Sequence, residues 1–289
     1  MKIQIRKARQ DDLKAIVDLA ARLNSLPESR CLHMDSTRQG IESEISDLDY
    51  SFEDTFIVAT CDDRIVGTLG ADCDEDGACV WLLGPFAEGD ECVAEALLQY
   101  VHSNLPSWVW KVRQYLDERN VRGINLHKKL GYKCGTFNQQ YGATKGEALW
   151  QVNEYATEVT EESSEALKAL HKKFFPQTWL KADELIGRCG SEAQAFVTCG
   201  DGEVTGYIFV SKHSGLSEGT LEYVAVQADR RGMGLGRVLL CTGLRWLFEV
   251  KSVERVQLVV ETEKKVAQKL YESCGLRLLT TGVAMSRER

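Results

Sequence analysis

Apolar and polar positions recur along this chain in two periods, and the change from one to the other marks its elements. In the second half, "EESSEALKALHKKFF" (161–175) spaces its apolar residues by three and four, which predicts an amphipathic helix. Thr160 is placed to cap it, with acids in its first turn and lysines near its end. "TWLKADELIGR" (178–188) predicts a second helix after Pro176. "AFVTCGDGEVTGYIFVSKH" (195–213) predicts two strands joined by a tight "GDGE" turn. "EYATEVT" (154–160), "GTLEYVAV" (219–226) and "RVQLVV" (255–260) predict further strands. A helix through Leu235, Val238, Leu239, Trp246 and Leu247 runs to about Val250, with Gly243 a mild weak point. "EKKVAQKLYESCG" (263–275) predicts a helix stopped by Gly275, and "LRLLTTGVAM" (276–285) a closing hairpin.

The first half repeats this order. A strand at "IQIRKA" is followed by a helix at "DDLKAIVDLAARL" and a second over 39–48. Then come a hairpin turning at Asp62–Asp63, a strand "CVWLLGPF", a helix "DECVAEALLQYVHSN", a strand "WVWKVRQYL" and a helix "NVRGINLHKKLGYK". A shift of 144 residues (264 minus 120) lays Asn120 on Lys264, Gly123 on Ala267, His127 on Tyr271 and Gly131 on Gly275. Two copies of one α/β unit follow from this, divided as 1–150 and 151–289 and joined near 145–153.

Between strand and helix, "VAVQADRRGMGLGRVLL" (224–240) sets Gly232, Gly234 and Gly236 alternately. Glycine admits positive φ and close approach to a ligand. N–H groups at a helix start have no partner within the helix, and the dipole adds positive charge there, so the run is suited to a phosphate or pyrophosphate. Arg230, Arg231 and Arg237 add cationic charge nearby. No Lys-Ser/Thr follows the glycines, which excludes a Walker loop. The dinucleotide spacing fails at Arg237.

Composition narrows the function. The net charge of −8 argues against a nucleic-acid partner. Residues 1–150 hold 17 basic and 24 acidic residues, net −7, whereas 151–289 hold 18 and 19, net −1. The run Asp72, Asp74, Glu75, Asp76 reads as a solvated face, or as a surface that attracts a cationic substrate. The ten cysteines lack metal-ligand spacing, and the five histidines are scattered, so no metal is expected. Most cysteines, Cys199 and Cys241 among them, read as buried reduced thiols. No signal-like or membrane-spanning segment is evident, and a cytoplasmic protein without a membrane partner is expected.

Arg231-Gly232-Met233-Gly234-Leu235-Gly236 resembles the Arg/Gln-x-x-Gly-x-Gly/Ala signature of the GCN5-related N-acetyltransferase (GNAT) superfamily. The preceding "LEYVAV" and the later Ala267-x-x-x-Tyr271-x-x-x-Gly275 are also similar to that family's. The resemblance implies two tandem GNAT-like domains, each a mixed, mostly antiparallel sheet flanked by helices. It implies acetyl-CoA (coenzyme A) as co-substrate, its pantetheine arm pairing with the backbone of Val224, Ala225 and Val226. Its pyrophosphate would sit on the N–H groups of Met233, Gly234, Leu235, Gly236 and Arg237. Tyr271 stands at the family's general-acid position, and Glu222 where a water-linked base is common, on the strand face opposite Tyr223 and Ala225. The family's frequent Asn is replaced by Lys264, which is expected to face water. Phe174, Phe175 and Trp179 shape an acceptor pocket or belong to the core.

In the first half, "PFAEGDECVAEALL" has one glycine among acids where the phosphate loop belongs, which implies a degenerate copy with His127 structural. The implied function is N-acetyl transfer to a primary amine, small-molecule or peptide, by direct attack in a ternary complex. The alternatives are a non-catalytic acyl-CoA-binding or regulatory protein, and a transferase with a larger acyl donor or a thiol-linked sugar acceptor. A monomer or a homodimer is compatible with the two-copy chain.

Overall fold

A computed structural model describes residues 3–89, 91–176, 178, 180–213 and 215–289. The chain divides into two compact units, 1–138 with 280–289, and 139–279. The division by contacts thus falls elsewhere than at 150/151, because two strands leave the half of the sequence that encodes them.

The first unit begins with β1 (Gln4–Lys7), α1 (Leu13–Asn24), α2 (Arg38–Ser46) and the one-turn α3 (Phe52–Thr55). β2 (Phe56–Cys61), β3 (Arg64–Asp74) and β4 (Cys79–Ala87) form an antiparallel meander. α4 (Glu91–Asn104), β5 (Lys111–Asp117) and α5 (Val121–Lys129) follow. Helix α1 buries Ile16, Val17, Leu19 and Ala20, as the three-and-four spacing requires. β6 (Lys133–Thr144) crosses the division between 138 and 139.

The second unit contains β7 (Thr157–Glu158), α6 (Glu161–Phe174), α7 (Ala182–Gly187), β8 (Ala193–Gly200), β9 (Glu203–Lys212) and β10 (Glu218–Val226). It continues with α8 (Leu235–Arg245), a π-helical turn (Trp246–Val250), β11 (Arg255–Glu261) and α9 (Lys265–Ser273). β12 (Arg277–Glu288) ends the chain. Thr160 and Ser163 cap α6 reciprocally. The strand expected over 154–160 shrinks to two residues, and the helix expected from Thr178 begins at Ala182.

Within the first unit the strand order is β1-β2-β3-β4-β5-β12; within the second it is β6-β11-β10-β9-β8-β7. Both sheets are mostly antiparallel, with one parallel pair each, β4–β5 and β10–β11. The closing hairpin is not formed. Residues 282–288 instead lie antiparallel along β5, where Ala284 faces Tyr115. A hairpin needs a turn, and "LLTTGV" supplies no two-residue turn of the favoured kind.

Period-2 alternation in β9 feeds two apolar layers. Ile208 and Val210 pack with Leu239, Leu240 and Leu244 of α8, whereas Tyr207 and Phe209 pack with Leu167 and Leu170 of α6 and Leu185 of α7. The sheet is thereby covered on both faces. Cysteine burial is mixed. Cys31, Cys61, Cys79, Cys241 and Cys274 are buried, but Cys92, Cys134 and Cys199 are exposed, so Cys199 departs from the buried position expected for it. All ten thiols are free. Among the described residues no helix is long and apolar enough to cross a membrane, and no cluster of metal-ligating side chains occurs.

Candidate functional site

β10 and β11 run parallel for only three pairs, Glu218–Arg255, Gly219–Val256 and Thr220–Gln257. Beyond Thr220 the ladder ends, and the edge of β10 from Val224 to Val226 faces a gap while its other edge stays paired with β9. Ala225 is buried, and Val224 and Val226 are half-buried against the α8 layer. An unpaired strand edge is a template for another extended chain.

The glycine loop leads from this edge into α8. Gly232 and Gly234 have φ of +82° and +83°, and a Cβ built on either meets nothing within 4 Å. Torsion rather than crowding therefore reserves both positions for glycine, since other residues resist this left-handed region. Gly236 differs: a Cβ there would approach Leu270 Cδ2 at 3.0 Å. Among the described residues, none accepts a hydrogen bond from the N–H of Gly232, Met233, Gly234, Leu235 or Gly236. Arg237 N–H already donates to Gly234 O at 3.0 Å, which removes one of the donors expected there. The loop fits a diphosphate: several free N–H groups, a helix start and open space in front of them.

The arginines are less available than the sequence suggests. Arg230 pairs with Asp201 at 2.7 Å. Arg237 turns toward the end of α9, donating to Ser273 O at 2.8 Å and Cys274 Sγ at 3.6 Å. Arg231 lies over the Phe174 ring, 5.6 Å from its centroid, and its Nε donates to Val226 O at 3.3 Å. Lys264 is exposed beside Glu261 at 3.7 Å, as expected of a solvent-facing lysine.

A β-bulge between Leu221 and Tyr223 gives β10 one extra residue, Glu222. Leu221 belongs to the α8 layer, while Tyr223 and Ala225 belong to the α6–α7 layer, so the bulge switches the strand's faces. Glu222 Oε1 accepts from Ser211 Oγ at 2.8 Å, and Ser211 shares the face of Tyr207 and Phe209. Glu222 thus lies on the same side as Tyr223. This corrects the opposite-face placement, which assumed unbroken alternation.

Tyr271 lies in the α8 layer, on α9, with its ring 6.1 Å from that of Tyr141. Burial pushes its phenol up to about 12, and among the described residues none hydrogen-bonds its hydroxyl. A phenol in this state is protonated at neutral pH and free to donate. Gln268, which the sequence did not single out, is buried and donates to Glu261 O at 3.2 Å and Thr262 O at 3.0 Å, fixing the turn into α9.

On the α6–α7 side, Tyr223 is met edge-on by Phe175 and His171, at 5.0 and 4.9 Å. His171 Nε2 donates to Leu180 O at 2.9 Å, which leaves Nδ1 to accept from Tyr207 Oη at 2.7 Å. Burial holds this imidazole below its usual range. Phe174 and Phe175 are partly buried against the same layer, while Trp179 lies outside the described residues. In the first unit Asp74 is partly structural, accepting from Gly77 N at 2.8 Å to close its hairpin.

Residues 164–276 match the sequence profile of the acetyltransferase (GNAT) family. No curated protein sequence matches the chain. Among solved structures, a GCN5-related N-acetyltransferase from Sphaerobacter thermophilus superposes with a TM-score of 0.77 at 16% identity, over 99% of this chain and 95% of that one. A tandem GNAT protein from the clavulanic acid biosynthesis pathway gives 0.64 at 12% identity, over 99% and 98%. A glucosamine N-acetyltransferase region of a fungal multi-domain β-N-acetylglucosaminidase gives 0.66 at 14% identity, over 98% and 38%. At these identities the likeness is one of fold, and the fold over the whole chain is that of tandem GNAT proteins.

Proposed function

Because residues 164–276 form a domain of the acetyltransferase (GNAT) family, we propose that this chain transfers an acetyl group from acetyl-CoA to a primary amine at the gap between β10 and β11. The observation that carries the reading is the free, left-handed glycine loop placed beside an unpaired strand edge. One feature holds an anion and the other holds an extended amide-bearing arm, and acetyl-CoA carries both. Val224, Ala225 and Val226 offer the strand edge, and Gly232, Met233, Gly234, Leu235 and Gly236 offer N–H groups.

The thioester supplies an acyl group reactive enough for direct attack by a neutral amine. The new bond is N–C, the bond broken is C–S, and two protons must be handled. Glu222, steadied by Ser211, accepts the ammonium proton directly or through a water. Tyr271 gives its phenolic proton to the departing sulfur, and the phenolate is restored, through water, by the second proton that the nitrogen loses as the amide forms. Glu222 shares the α6–α7 side with the aromatic residues, and Tyr271 stands on the α8 side. A base and an acid on opposite faces of the gap suit a reaction in which amine and thioester meet there. Phe175 and Tyr223 border the amine's side.

The test is a thiol-release screen of primary amines with acetyl-CoA, with the product identified by mass. Release that depends on both amine and enzyme is expected. Acetyl-CoA binding with no release over a broad amine panel overturns the catalytic reading.

A further inference from the structure

Before the bulge in β10, the sheet of the second unit carries a row of uncharged hydrogen-bonding side chains. Thr220 is paired with Ser211 of β9 on one side and with Gln257 of β11 on the other. Gln140 of β6 extends the row, its Nε2 donating to Gln257 Oε1 at 2.5 Å. Their neighbours fix the face. Val210, Leu221, Val256, Leu258 and Tyr141 belong to the α8 layer, so Ser211, Thr220, Gln257 and Gln140, each adjacent in sequence to one of them, project from the other side of the sheet, where Ser211 meets Glu222. His213 closes one end, with Nε2 2.7 Å from Thr220 Oγ1. The four residues of the row are half-buried, and the aromatic residues under α6 and α7 lie further along β9 and β10. Their bonding is incomplete. Among the described residues none bonds Gln257 Nε2 or Gln140 Oε1, and Ser211 Oγ, which donates to Glu222, can still accept. Donors and acceptors thus stand open from β10 to β6, across two strand spacings or about 10 Å. At the next position of this face, Glu218 is paired with Arg255, so Glu222 is the carboxylate that the row adjoins without a cation on its own strands.

We infer that this row holds the hydroxyl groups of the acceptor, so that the chain acts on a primary amine carried by a compact polyhydroxylated body, with its nitrogen at Glu222. The inference rests on the proposed reading of the β10–β11 gap and names the acceptor class for it. A hydroxyl both donates and accepts, which matches amide and hydroxyl side chains that have one capacity used and another open. An alkyl amine would leave those groups unpaired, which a site built to bond hydroxyls penalises. A polycation would find one carboxylate and no second. An extended peptide lies along a single strand, whereas the row crosses four.

Thiol release from acetyl-CoA with D-glucosamine, cyclohexylamine and Nα-acetyllysine methylamide tests the row, with kcat/KM expressed per unprotonated amine. D-glucosamine should exceed each of the others at least about tenfold, the worth of one hydrogen bond. In Gln257→Leu its KM should rise about tenfold, and its advantage over cyclohexylamine should shrink by the same factor. Equal losses for both amines mark a structural effect and overturn the inference, as does a wild type that does not prefer D-glucosamine. Should Gln257→Leu not fold, Thr220→Val takes its place with the same expectation. No release with any primary amine overturns the proposed function instead, and the row is then judged by calorimetry of D-glucosamine with the intact chain. Binding that Gln257→Leu or Thr220→Val weakens about tenfold supports it; no binding, or binding that neither variant changes, overturns it.

Discussion

Replacing both Gly232 and Gly234 by alanine separates a backbone anion site from a side-chain one. Each glycine has φ near +80°, and an added Cβ meets nothing within 4 Å, so no steric clash confuses the result. Holding an alanine in this region costs about 1 kcal/mol per position. Two outcomes are open to the loop. If it keeps its shape, the second unit loses about 2 kcal/mol of stability. If it relaxes to negative φ, the N–H groups no longer converge, and at least one charge-assisted hydrogen bond of about 1.5–3 kcal/mol is lost. Stability and affinity are thus coupled, and Kd for acetyl-CoA should rise about a hundredfold, or about 2.7 kcal/mol. Gly190→Ala is the control, since its Cβ also meets open space and its φ is ordinary. Isothermal titration reads the affinity, and urea denaturation reads the stability. Wild-type affinity together with undiminished stability in the double variant refutes the placement of the diphosphate on these N–H groups.

Tyr271→Phe should lower kcat about a hundredfold with Kd for acetyl-CoA unchanged, measured by thiol release; an untouched rate across pH removes the general acid. The same variant should be more stable than the wild type in strong base. The wild-type phenol goes from 10 to about 12 on folding, so its stability is complete below pH 10 and falls as pH rises toward 12, by about 3 kcal/mol; alkaline melts in which both proteins lose stability alike contradict this burial. Glu222→Gln should lower kcat for thiol release, and Ser211→Ala should lower it less with KM for the amine nearly unchanged. An undiminished kcat in Glu222→Gln excludes it as the base. Asp117 is buried, and although burial opposes its charge, hydrogen bonds from Arg119 and Thr280 hold its carboxyl below the usual range. Its contribution is present above the ordinary carboxylate range and lost as pH falls below it, so Arg119→Ala should cost about 2 kcal/mol at neutral pH and less in acid. Loss of under about 0.5 kcal/mol in urea melts argues against that role.

What the sequence revealed was what is local. α6 with its Thr160 cap, the β8–β9 hairpin and α9 with its Gly275 stop follow from residues within one or two turns of each other. The loop glycines were legible because their φ is a property of single residues. Side-chain partners far along the chain were not. Arg230 and Asp201 are 29 residues apart, and Arg237 and Ser273 are 36, so no spacing rule announces that these charges are taken. The bulge at Glu222 inserts one residue into regular alternation, and "LEYVAV" reads the same with or without it. Nothing in the strand "WVWKVRQYL" distinguishes Gln114 from an ordinary polar residue. Its Nε2 donates to Gly84 O of β4, beyond the point where β4 and β5 stop pairing at Trp81 and Arg113. β6 is not legible in "KCGTFNQQYGAT", which has few apolar residues, because its pairing is set by distant strands.

The exchange of strands at the ends of the two sequence halves governs where the chain can be cut. Residues 280–289 complete the first sheet, and 139–144 complete the second. A gene fragment beginning near 151 would encode the matched domain at 164–276 yet lack an edge of its own sheet, and should give insoluble or molten protein. Restoring 139–150 should help it more than any substitution inside the fragment. Residues 139–144 are encoded before position 151 and 280–289 after it, so a cut between the two sequence copies takes a strand from each sheet.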